Sequence, residues 1–211
     1  MRILITAGGT REYIDPVRFI SNASSGRMGC ALARAALKAG HKVTLIAAPT
    51  SQKPPAGAKL INVETAAQMF EAVKKHFEPC DCLIMAAAVA DYTPVHPART
   101  KIKKTGRHLM IELKPTTDIL HWAGKHKKMN QVLVGFALED KALRVRAEEK
   151  MREKELDMII ANSPASIGAD KSNVQIKIPN SQWLEIQNAA KSAIANNIIR
   201  LIEKLHHAKL K

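Results

Sequence analysis

Apolar and polar positions along the chain change period repeatedly. Arg2-Ile-Leu-Ile-Thr6 is a short apolar, β-branched run ending at Gly8-Gly9, which reads as a buried parallel strand entering a tight loop. A polar loop follows through Asp15-Pro16. Ser24-Ser25-Gly26-Arg27-Met28-Gly29 then opens a helix over Cys30 to Ala39, with serine as the N-cap signal and Gly40 as the stop. Further strands are predicted at Lys42–Ala47, Leu60–Val63 and Asp81–Ala87, with a helix over Thr65–His76 between the last two. The stretch 91–106 is polar and basic without periodicity. Arg107–Lys114 alternates and reads as a hairpin arm. Beyond it come a helix over Thr117–Lys127, a strand at Gln131–Phe136, a charged helix over Lys141–Glu155 and a strand at Asp157–Ala161. Val174–Ile178 and Trp183–Ile186 form an expected antiparallel pair, and Ala189–His207 a closing helix.

Alternating strands and helices predict an α/β fold, a mostly parallel sheet with helices on both faces. At 211 residues one domain spanning 1–211 is expected, with the basic flap and an antiparallel C-terminal piece as excursions. Hydrophobic residues make up 46% of the chain, enough to bury a core and to exclude global disorder. The longest apolar runs, such as residues 83–90, fall well below the roughly 20 residues of a membrane span. The first residues carry no signal-peptide pattern, and three cysteines cannot build a disulfide framework, so a reducing cytoplasm is the expected compartment.

Charge changes this picture. The net charge is +14, and residues 95–130 hold nine Lys or Arg against Glu112 and Asp118, half of the excess. Such a patch suits a polyanionic partner: a nucleotide, another phosphorylated metabolite, or nucleic acid. Aromatics at 4% argue against a stacking platform for single strands, and no recognition-helix or RNA-binding motif occurs. Cys80-x-Cys82 alone is too little for a metal site, and the eight histidines form no metal motif.

In open parallel sheets, ligands bind beyond the strand C-termini where the strand order reverses. The first and fourth strands flank that point, at Thr6-Ala7-Gly8-Gly9-Thr10 and Met85-Ala86-Ala87-Ala88-Val89-Ala90-Asp91. The Gly8-Gly9 loop and the helix opening at Ser24-Ser25-Gly26 offer backbone N–H groups to a phosphate, as does a helix start at Thr117-Asp118. Each reads equally as a turn or a plain cap. Lys150 and Lys154 share a helix face, which is ordinarily solvated. No G-x-G-x-x-G follows the first strand and no acid follows the second, at Ala47-Ala48-Pro49, so an NAD(P)-binding reductase lacks its fingerprint. No nucleophile motif of the G-x-S-x-G kind is present.

The run Ile5-Thr-Ala-Gly-Gly-Thr-Arg-Glu-Tyr-Ile-Asp-Pro-Val-Arg-Phe-Ile-Ser-Asn-Ala-Ser-Ser-Gly-Arg-Met-Gly29 closely resembles the start of phosphopantothenoylcysteine synthetases, the phosphopantothenate–cysteine ligases of coenzyme A biosynthesis. AAAVADY at 86–92, KIKK at 101–104, TDIL at 117–120, GFA at 135–137, the Lys150/Lys154 pair and Ala161-Asn162 follow in the family's order. Residues 138–140 depart from the family's usual FAAET. The resemblance implies a Rossmann-like sheet, a homodimer with sites at the subunit interface, and a two-step reaction. The 4′-phosphopantothenate carboxylate attacks the nucleotide α-phosphorus and expels pyrophosphate. The L-cysteine amine then attacks the acyl-cytidylate and expels CMP. A first loop of bacterial type implies CTP over ATP, with Mg²⁺ bridging triphosphate oxygens and no protein ligands assigned to it.

By the same correspondence Asp91, Lys101, Phe136, Lys150, Lys154, residues Met85, Ala86 and Ala87, and Thr117, Asp118, Ile119 and Leu120 contact the nucleotide. Asn22 holds the phosphopantothenoyl or acyl-phosphate group, and Lys101 rides on a mobile flap. Because the chain begins at the first synthetase strand, a stand-alone ligase is expected, with a separate phosphopantothenoylcysteine decarboxylase as a candidate partner and with neither nucleic acid nor membrane.

Overall fold

The computed structural model describes residues 1–106, 108–166 and 168–211. An eight-stranded sheet forms the centre. In chain order its first members are β1 (Arg2–Ala7), β4 (Lys42–Ala47), β5 (Lys59–Asn62), β6 (Cys82–Met85), β9 (Val132–Leu138) and β10 (Met158–Asn162), which run parallel. Two antiparallel strands, β11 (Lys171–Lys177) and β12 (Leu184–Ala190), extend one edge, giving the order β12-β11-β10-β9-β6-β1-β4-β5. Crossing from β1 to β4 moves the chain one way, and the return from β5 to β6 carries it to the other side of β1. The strand order therefore reverses between β1 and β6, as the sequence predicts.

The two-residue period of β1 divides the core. Ile3, Ile5 and Ala7 pack on α1 (Arg27–Lys38) and α5 (Lys191–Lys209), whereas Leu4 packs toward α2 (Ala66–Phe77), α3 (Ile119–His126) and α4 (Leu143–Glu153). Both faces of β1 are apolar because both are covered, which is why its sequence is a continuous apolar run. Helix α2 starts as its sequence demands. Thr65 Oγ1 accepts from Gln68 N while the Gln68 side chain accepts from the Thr65 N–H, a reciprocal capping box.

Several expectations are corrected. The polar loop after β1 is a hairpin of β2 (Arg11–Asp15) and β3 (Arg18–Ser21). Asp15 Oδ1 closes its turn by accepting from the N–H groups of Val17 and Arg18, both at 2.9 Å. Helix α1 begins at Arg27 rather than Cys30, capped by the left-handed backbone of Gly26 and by no side chain. Ser24 Oγ instead accepts from Gly26 N at 3.3 Å. Strand β6 stops at Met85, since the following residues leave the sheet to line the loop after β1. Within 91–115, β7 (Tyr92–Pro94) pairs with β8 (Leu113–Pro115), so the basic stretch is the tip of an arm. The arm expected over Arg107–Lys114 is a strand only from Leu113, and Arg107 lies outside the described residues.

Candidate active site

A cavity of about 780 Å³ opens beyond the C-terminal ends of β1, β6 and β9, at the reversal of strand order. It is lined by Asn22, Ser24 and Gly26 from one segment, Met85, Ala86, Ala87 and Asp91 from a second, Thr117, Asp118, Ile119 and Leu120 from a third, and Phe136, Lys150 and Lys154 from the β9–α4 unit. Four segments far apart in sequence thus meet at one place.

Buried hydroxyls hold the second segment in position. Thr6 Oγ1 accepts from Ala87 N at 3.1 Å and Thr10 Oγ1 from Ala90 N at 2.9 Å. The backbone adds Ala88 N to Gly8 O at 2.8 Å and Thr10 N to Ala88 O at 3.3 Å. Asn22 Nδ2 donates to Val89 O at 3.0 Å, tying the end of the hairpin to the same strip. Residues 86–89 therefore line the cavity on a strip fixed from behind through the N–H groups of Ala87 and Ala88 and the carbonyls of Ala88 and Val89.

Gly8 and Gly9 do not line the cavity. Both are buried below it, and Gly8, at φ +85°, lies so close to the Ala48 carbonyl that no Cβ fits. Their glycine requirement is packing between two loops. Lys101 is also outside the cavity. Its side chain is exposed and, among the described residues, makes no hydrogen bond or ion pair. The loop that carries it is bonded to the β2–β3 hairpin through Asp15 and Arg18.

The cations of the site fall into two kinds. Lys154 Nζ pairs with Asp118 Oδ2 at 2.7 Å, and Asp118 Oδ1 caps α3 through His121 N at 2.9 Å. Burial raises the Asp118 pKa, but the Lys154 ammonium and the His121 N–H outweigh it and leave it below the ordinary carboxylate value. Lys150 Nζ donates to Phe136 O at 2.8 Å, and Lys191 Nζ to Ser166 O at 3.3 Å and Ser172 Oγ at 3.2 Å. Among the described residues neither Lys150 nor Lys191 forms an ion pair. Burial, followed by the nearby charge of Lys154 for Lys150 and of Arg27 for Lys191, pushes both pKa values down. The carboxylates nearest in effect, Asp118, Glu139 and Asp91 for Lys150 and Asp170 for Lys191, only partly offset this desolvation, and an anionic ligand would offset more of it.

Arg27, Glu139, Asn162 and Lys191 also line the cavity and were not among the sequence candidates. Arg27 Nη1 reaches Gly168 O at 3.0 Å and Asp170 Oδ1 at 2.9 Å, closing one wall. Lys191 carried no sequence signal. It arrives because the β11–β12 pair returns the chain so that α5 starts beside the site. The first-turn N–H groups of α1 add donors, since Gly26 offers no capping side chain. No group of three His, Cys, Asp or Glu suited to a metal ion occurs among the described residues. Of the cavity's carboxylates, Glu139 is bonded to Arg146 and Asp118 to Lys154.

The sequence and this geometry have relatives. Coenzyme A biosynthesis bifunctional protein CoaBC of Bacillus subtilis is 42% identical over 208 residues, 96% of this chain and 51% of its own length. That of Borreliella burgdorferi is 39% identical over 203 residues, 95% and 52%. A protein named cysteine/cysteine sulfinic acid decarboxylase, from an unknown prokaryote, is 44% identical over 98% of this chain and 59% of its own length. The chain thus spans between half and three-fifths of these relatives. A crystal structure of a CoaBC C-terminal domain superposes with a TM-score of 0.85 at 38% identity, covering 98% of this chain and 96% of that one. A Cab2 variant in complex with phosphopantothenate-cysteine shares the fold, at a TM-score of 0.81 and 18% identity over 99% of this chain and 87% of that one. With residues 1–205 matched by the family model, the chain belongs to the family of the DNA/pantothenate metabolism flavoprotein C-terminal domain.

Proposed function

We propose that the protein is a phosphopantothenate–cysteine ligase, joining 4′-phosphopantothenate to L-cysteine with CTP cleaved to CMP and pyrophosphate. The observation that carries this reading is the cavity at the strand-order reversal, lined together by the small-residue strip 86–88 and by Lys150 and Lys191, which among the described residues form no ion pair. Attack of a carboxylate on an anionic phosphate needs positive charge and oriented N–H donors, and no protein nucleophile. Lys150, Lys191 and the first turn of α1 supply both. In this reading Lys154, Asp118 and the strip 85–87 hold the nucleotide, and the Asn22 amide, already anchored on Val89 O, faces the acyl phosphate. Mg²⁺ held by the triphosphate would neutralise charge as pyrophosphate leaves. The family relationship to bifunctional coenzyme A biosynthesis proteins supports the pathway.

A homodimer belongs to the same proposal. The hairpin and arm pack on one another, through Ala98 N to Ile14 O at 2.8 Å, and leave Val17, Phe19, Tyr92, Leu109, Met110 and Leu113 exposed, Met110 to 92%. Such an apolar surface on a charged chain suits a second copy. A site at that interface also gives Lys101 a cavity to reach. Pyrophosphate release with CTP or ATP, given 4′-phosphopantothenate with and without cysteine, tests the reading. Release that needs 4′-phosphopantothenate, with CMP appearing only once cysteine is added, is expected. Release with neither nucleotide overturns the ligase, and equal kcat/KM with ATP overturns the choice of CTP.

A further inference from the structure

We propose that Asp15 is a positioning residue that tethers the basic loop and so places Lys101; the inference rests on the ligase reading, in which Lys101 serves the reaction. Closing the β2–β3 turn occupies only Asp15 Oδ1. Its second oxygen is committed elsewhere. Oδ2 accepts from Arg18 Nε at 2.9 Å, from Arg18 Nη2, and from Ile102 N at 3.1 Å. Arg18 Nη2 donates in turn to Ile102 O at 2.6 Å. One ion pair therefore holds both the N–H and the C=O of Ile102, across more than 80 residues of sequence.

The Asp15 side chain has no solvent exposure, whereas Arg18 is 43% exposed. Taking a carboxylate fully out of water is unfavourable unless every oxygen is satisfied, and both oxygens of Asp15 are. No other backbone hydrogen bond holds residues 99–106 among the described residues. The segment is otherwise exposed over most of its length, with Lys101, Lys103 and Lys104 all open to solvent. Ile102 stands between Lys101 and Lys103, so the point from which Lys101 projects is set by this clamp. A hairpin that only needed a turn has no use for Oδ2 on a distant loop.

Two variants release the clamp differently. Asp15→Asn keeps the shape and removes the charge. Ile102→Pro removes the donated N–H and leaves the buried ion pair alone, so it covers the case in which Asp15→Asn fails to fold. Limited trypsin digestion reads the tether without reference to activity. Cleavage after Lys103 and Lys104 is expected to accelerate by about tenfold in both variants, because local opening governs cutting. In turnover assays, kcat is expected to fall with KM for CTP unchanged, and Asp15→Asn is expected to add nothing in a Lys101→Gln background. Unchanged cleavage overturns the tether. A full additional loss in the Lys101→Gln background overturns action through Lys101. A parent enzyme that releases no pyrophosphate removes the ligase reading and the link to turnover, while the digestion still decides the tether.

Discussion

Gly26 joins the fold to the candidate site at one backbone position, and Gly26→Ala tests both. Gly26 sits at φ +71°, immediately before α1, and lines the cavity. An added methyl meets two penalties. The left-handed conformation costs an L-residue about 1–2 kcal/mol. The Cβ would also fall inside van der Waals contact of Thr50 Oγ1 and 2.8 Å from Thr50 Cβ, an overpacking cost of about 1–3 kcal/mol. Thr50 cannot retreat freely, because its Oγ1 donates to Ser25 O at 2.7 Å and accepts from Gln52 N at 3.1 Å. The sum is about 2–5 kcal/mol, or a fall in Tm of roughly 4–20 °C for a chain of this size. Because Ser25 and the first turn of α1 move with Gly26, nucleotide binding is expected to weaken as well. Thermal unfolding with and without CTP measures both effects, since a ligand of the native state raises Tm by mass action. Adding Thr50→Ala is expected to recover the steric part and leave the left-handed part. A Gly26→Ala protein that melts within about 1 °C of the parent, below the ~2 kcal/mol scale of the argument, with an equal shift from CTP, would refute the reasoning.

Other outcomes follow from single side chains. Asn22→Asp removes the donor to Val89 O and sets a negative charge beside an acyl phosphate; turnover is expected to drop by about a hundredfold or more, on the ~3 kcal/mol scale of a lost oxyanion donor, and a loss seen only in Tm would instead make Asn22 a loop support. Lys101→Gln, at an exposed position, is expected to change stability by no more than about 0.5 kcal/mol while kcat falls and CTP affinity holds; a rate within threefold of the parent returns Lys101 to a solvated loop. Lys150→Met tests the buried ammonium through pH. The folded pKa of Lys150 lies below its ordinary 10.5, so between the two values the native state binds fewer protons than the unfolded one, and parental stability rises with pH there. Denaturation curves are expected to show the parent gaining on Lys150→Met as pH climbs toward 10.5, and parallel curves across that window would contradict it.

Much of the architecture is legible because its causes are local. The apolar runs of β1, β6 and β9 announce strands covered on both faces, and the Thr65/Gln68 capping box and the stop at Gly40 mark helix ends, all within a few residues of sequence. Strand and helix alternation then locates the reversal of strand order, and most candidate site residues gather there because they follow those strands. The hairpin at 11–21 was not legible, since its short strands are secured by contacts to distant partners: Arg11 N to Glu64 O, and Ala66 N to the buried Glu12. Gly8 and Gly9 show why a glycine pair is ambiguous in sequence: close loop packing, which the structure shows for Gly8, and close ligand approach have the same signature. Lys191 could not be found from sequence. The antiparallel pair itself is legible, but that β11 and β12 return the start of α5 to the cavity wall depends on how this pair docks on the sheet edge. The position of Lys101 was likewise decided by tertiary structure. A basic loop has no periodicity of its own, and it lies where the Asp15–Arg18 pair, formed on a separate hairpin, holds the N–H and C=O of Ile102.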